Sequence, residues 1–238
     1  MNIVDIAIIG ILLLCMVAGY YQGFLRSALG MANFFVSILG AWAMNGALAR
    51  ALDKTNNIVP LLVYYSESSE MLGTVENVRT SIYELNGPQL SDLLSRLSLP
   101  HPLGSLLTQN IQNYAFAEAG ASTLGDYLSL TIAHMSVNIV SYLIIFFILF
   151  VSLSIVIAMC DYVFKLPTLR YMDQVSGALV GFLQGVLLLF VVFIIIPVIL
   201  AFLPFKEISQ FIDSSQFANF YYHNNFILDT IRGVIRGG

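Results

Sequence analysis

Apolar residues gather in four long runs, separated by two short polar breaks and one long polar stretch. The runs cover residues 5–21, 26–50, 136–163 and 175–203. A helix that crosses a bilayer needs about 20 mostly apolar residues, so each run predicts a spanning helix. The second is the least apolar and holds many small or mildly polar residues, among them Ser27, Gly30, Asn33, Ser37, Gly40 and Asn45. Small side chains let helix backbones approach closely, so this helix is expected to face other helices rather than lipid. Pro197 predicts a kink in the fourth run.

The breaks at 20–25 and 165–173 leave room only for turns. The sequence therefore divides into a first transmembrane hairpin (1–46), a loop region (47–135), a second hairpin (136–205) and a tail (206–238). The expected fold class is an all-α integral membrane protein: four transmembrane helices as two hairpins, with short amphipathic helices in a long extracytoplasmic loop. In that loop Leu103, Leu106, Leu107, Ile111 and Tyr114 recur at roughly helical spacing. Ser91-Asp92, after Asn86-Gly87-Pro88, reads as a helix start. One more short helix is expected near 225–235.

Composition points the same way. Hydrophobic residues make up 58% and charged residues 10% of 238, against roughly 45–50% and 25% in soluble domains. The mean hydropathy is +0.83. The net charge of −4 falls wholly in 47–135, where eight acids meet four bases. Basic residues stand singly, which argues against a nucleic-acid partner. Cys15 and Cys160 lie far apart inside apolar runs and read as buried thiols. No Lys or Arg precedes the first run, so it is expected to be retained rather than cleaved as a signal peptide. Arg26, Lys165 and Arg170 share one side. The positive-inside tendency then puts both short turns in the cytoplasm and the termini and acidic loop outside.

Candidate functional positions are few. Gly177, Gly181 and Gly185 stay within about 80° around a helix axis and form a smooth strip, suited to packing a second helix or to close approach of a ligand. Gly19-x-x-x-Gly23-Phe24-Leu25 repeats the pattern of Gly177-x-x-x-Gly181-Phe182-Leu183. Each copy is placed near the start of the second helix of its hairpin. Asp5, Asn33, Asp173 and Gln184 are polar groups within or at the ends of the spans, where an ionisable or amide group is a functional candidate. The plainer readings are a boundary carboxylate in headgroup water for Asp5, a cap on the fourth helix for Asp173, and interhelical hydrogen bonds for Asn33 and Gln184. No HExxH, GxSxG or P-loop pattern occurs. His101, His134 and His223 lack metal-ligand spacing. The chain is expected to be no enzyme and to hold no metal or cofactor.

With these residues in hand, the sequence resembles the CvpA family, the colicin V production proteins. The resemblance rests on Asn2-Ile3-Val4-Asp5 opening the first run and on Gly19-x-x-x-Gly23-Phe24-Leu25-Arg26 at the first turn. It rests also on Met172-Asp173-x-x-x-Gly177-x-x-x-Gly181-x-x-x-Gly185, and the two hairpins around an irregular loop extend it over nearly the whole chain. It implies a bacterial inner-membrane protein needed for production or export of a small peptide toxin, with no catalytic residues to carry over. The expected partners are the lipid bilayer, an export apparatus or other envelope proteins, and further copies of itself. The rival expectation is a small oligomeric transporter or channel with Asn33, Asn138 and Gln184 along a polar path. The two differ in whether those side chains converge on one cavity.

Overall fold

Asn2 and Asp5 start the first helix together. The Asn2 side chain accepts the Ile3 N–H at 2.6 Å, and the Asp5 carboxylate accepts the Asn2 N–H at 2.9 Å. This reciprocal arrangement satisfies donors that a helix start leaves without partners. The resulting α1 spans Ile3–Gln22 and ends at Gly23, whose φ of 80° suits a residue without Cβ. After that single residue α2 runs over Phe24–Lys54. In the computed structural model described here, residues 2–54, 58–66, 68–84, 87–97, 99, 102–161, 170–202, 210 and 212–232 are placed.

The remaining helices, in chain order, are α3 (Ile58–Tyr65), α4 (Ser68–Leu72), α5 (Val75–Arg79), α6 (Gly87–Arg96), α7 (Leu103–Gln112), α8 (Leu124–Asp161), α9 (Arg170–Phe193), α10 (Ile196–Phe202), α11 (Gln216–His223) and α12 (Phe226–Arg232). Among the described residues there is no strand, only an isolated bridge between Ser81 and Thr123. The protein is all-helical. Four of its helical stretches are long and apolar enough to cross a bilayer: Ile3–Gln22, Phe24–Lys54, Leu124–Met159 and Met172–Phe202. It is a multi-pass membrane protein.

Two helix starts differ from the sequence expectation, those of the third span and of α6. The third spanning helix begins at Leu124, well before residue 136. Asp126, Thr131 and His134 break the apolar run there. They also suit this stretch to a protein environment, and Leu124, Tyr127, Leu128, Ile132 and Ala133 are fully buried. The fourth breaks at residues 194–195, just ahead of Pro197 where a kink was expected, and α9 gives way there to α10. Proline offers no N–H to the preceding turn and its ring crowds the carbonyl of that turn, which accounts for the break. In the loop region α6 starts at Gly87, four residues ahead of the expected Ser91, with Pro88 at an early helical position where its missing donor does no harm.

The chain forms two compact units. The first comprises Met1–Asn45, Ser141–Ile194 and Gln210–Ile227; the second comprises Gly46–Val140, Ile195–Ser209 and Leu228–Gly238. In the first unit Phe34 of α2 meets Phe146 and Phe150 of α8 edge-on, at centroid distances of 5.3 and 6.0 Å. Tyr221 of α11 packs against Phe190 and Phe193 of α9, and the Asn225 amide donates to the Phe190 carbonyl at 2.8 Å. In the second unit the early turns of α8 form the core. Asn110 of α7 donates to Thr131 at 3.0 Å, Ser68 and Ser129 share a hydrogen bond of 2.6 Å, and Phe116 stacks on His134. Leu103, Leu106, Leu107 and Ile111 give α7 one buried face.

Candidate functional site

The two glycine motifs meet each other. A Cβ added at Gly19 would run into the Gly177 carbonyl and lie 2.9 Å from the Gly181 Cα. One at Gly177 would strike Gly19 and Gly23, and one at Gly181 would strike the Cys15 carbonyl. At Gly185 the neighbour is the Cys15 side chain, 2.9 Å from such a Cβ. As the contacts advance along α9 from 177 to 185 they retreat along α1 from Gly23 to Leu12, so the two helices run antiparallel in backbone contact. The first copy of the motif therefore sits at the end of α1 and over its junction with α2. That differs from the placement expected from the repeat, because the helix break falls at Gly23 itself.

Asp173 lies in the first turn of α9 and reaches across to α2. Its Oδ1 accepts the Phe24 N–H at 3.0 Å, so the carboxylate stands at the positive end of α2 as well as near that of its own helix. The same carboxylate occupies the space a Cβ on Gly23 would need. Gly23 is thus fixed by its positive φ and by Asp173 together.

Asp5 does not stand in headgroup water as expected. It is 4% exposed. Besides the Asn2 N–H it accepts the Ser215 hydroxyl at 2.5 Å and the Phe217 N–H at 3.3 Å. Ser215 in turn caps α11, accepting the Ala218 N–H at 3.0 Å. The segment that covers Asp5 comes from a part of the tail where no helix was expected. Its signal was present in a capping Ser215 followed by Phe217, Phe220 and Tyr221 at helical spacing.

Asn33 and Gln184 come together on one cavity of about 360 Å³ among α1, α2, α8 and α9. The polar lining is Gln22, Arg26, Ser27, Asn33, Ser154 and Gln184, and Phe34, Phe150, Ile157 and Leu188 supply apolar wall. The Asn33 amide donates to the Phe150 carbonyl at 3.1 Å and to Ser154 Oγ at 2.9 Å, while its Oδ1 accepts the Ser37 hydroxyl. Gly30 leaves room for Gln184, whose Oε1 would lie 3.4 Å from a Cβ there. Asn138, the third member of the expected polar path, is held instead within its own helix, donating to the His134 carbonyl at 2.9 Å. Among the described residues no three His, Cys, Asp or Glu side chains group as metal ligands would.

A family model described as Colicin V production protein matches residues 4–75 and 110–225, most of the chain. No curated protein and no solved structure matches it.

Proposed function

The chain belongs to the colicin V production protein family, and from that premise we propose that it is an accessory protein of the bacterial inner membrane, required for production or export of a small peptide toxin. It works as a helical scaffold and carries out no catalysis of its own. The spans form two hairpins, the termini and the loop region face the periplasm, and the loop region engages an export apparatus or other envelope proteins. The observation that carries the scaffold reading is the bare backbone contact of Gly19 and Gly23 with Gly177 and Gly181. Such a crossing spends its small residues on fixing two helices rather than on opening a passage.

The second reading, a small oligomeric transporter, draws on Asn33 and Gln184 sharing a cavity. The bond of Asn138 within its own helix counts against a path that uses all three amides.

The test compares a deletion strain with its complement for a secreted peptide toxin, quantified in the medium and inside the cell. Loss outside with normal or raised amounts inside is expected. Unchanged amounts in both fractions would remove the export role. Complementation with Gly181→Leu, followed for membrane level and toxin release separately, is expected to fail at assembly.

A further inference from the structure

The cavity among α1, α2, α8 and α9 has no part in the scaffold reading, and its lining is selective. Arg26 stands in the first turn of α2, at the end of a spanning helix, while Asn33 and Gln184 lie farther along the helices. The side-chain carboxamides of Gln22 and Gln184 make no hydrogen bond among the described residues. Neither side chain is fully buried, so both carboxamides stay open to a guest at the cavity, to which their N–H groups donate and from which their oxygens accept. Ala18, Gln22, Arg26 and Ala158 are exposed, so the cavity opens on the outer surface of the spanning helices. What meets that surface in a membrane is lipid.

We propose that this cavity binds one anionic membrane lipid. The phosphate pairs with Arg26, the glycerol ester oxygens accept from the Gln22 and Gln184 amide N–H groups while headgroup hydroxyls donate to their oxygens, and the upper part of an acyl chain lies along Phe150, Ile157 and Leu188. The cavity's 360 Å³ equals about a dozen water volumes at ~30 Å³ each. That is room for a headgroup and a few methylenes, with the rest of both chains left in the bilayer. A cation at the cavity mouth selects for negative charge on the headgroup, and the apolar wall selects for a lipid over a free anion.

Native mass spectrometry of the full chain in neutral detergent tests this, with phosphatidylglycerol and phosphatidylcholine of identical chains offered together. One phosphatidylglycerol retained per chain is expected, favoured about fivefold or more over phosphatidylcholine. Arg26→Gln is expected to erase that preference and Arg26→Lys to keep it. Gln184→Leu should weaken retention about threefold or more, with Gly10→Ala unchanged, since Gly10 has open space around it. Equal retention of the two lipids by the unaltered protein would overturn the proposal, as would a preference that survives Arg26→Gln. Should Arg26→Gln fail to fold, the lipid comparison on the unaltered protein and the Gln184→Leu result decide. Release of the lipid by millimolar inorganic phosphate would assign the site to a free anion and overturn the lipid reading.

Discussion

Gly181 and Gly10 are the same residue in two spanning helices, and the structure gives them opposite burdens. A methyl group on Gly181 would meet the Cys15 carbonyl and the Gly19 Cα, both backbone atoms that cannot swing aside, whereas Gly10 has nothing within 4 Å. Gly181→Ala should therefore cost about 1–3 kcal/mol through overpacking. Gly10→Ala should be neutral or gain up to ~1 kcal/mol from helix propensity. Denaturant titration in mixed micelles measures both, and an equal response of the two positions would mean that α1 and α9 do not touch through their backbones. Spacing alone made the strip on α9 readable from sequence, because four-residue steps return to one face. The partner of the strip was not readable. Nothing in a local period tells Gly181 that it will meet Gly19 rather than a residue of the adjacent helix.

At the scale of elements, one carboxylate ties the start of α1 to the start of α11, beside the bond from the Asn2 amide to Ser214. Asp5 accepts from Asn2, Ser215 and Phe217, the last two 210 and 212 residues away in sequence. Asp5→Ala should cost roughly 2–3 kcal/mol, since it strands donors that a charged group had satisfied. Ser215→Ala, which also removes the α11 cap, should cost about 1–2 kcal/mol. Both changes delete one shared bond, so the double variant should fall short of the sum by about 1 kcal/mol. Strict additivity in that cycle would refute the bond. Hydropathy reading placed Asp5 at a membrane boundary because it sees only neighbours in sequence. The same limit hid the early turns of α8, where Asp126 and His134 interrupt the apolar run while protein, not lipid, surrounds Tyr127 and Leu128. The spans themselves were legible, for the bilayer demands an apolar run of about 20 residues and little else imitates it.

For the whole molecule, the proposed orientation rests on charge. Arg26 and Arg170 flank the short connections, and the acids concentrate in the loop region. An alkaline phosphatase reporter placed after Gly120, in an exposed turn, or after Gly238 should be active, as this enzyme requires the periplasm. Activity at one position and not the other would mean an odd number of crossings between them. Activity at neither would invert the topology.

The pairing of α1 with α9 also bears on how the chain is made. Phe24 and the Asp173 that caps it are 149 residues apart. At ~5–20 residues per second the ribosome needs on the order of 7–30 s to supply that partner. During that interval the face of α1 around Gly19 lacks the α9 glycines that cover it in the folded protein. Slowing translation between α2 and α9 should therefore lengthen the exposure of that face and lower the protein's membrane level, which pulse–chase labelling measures.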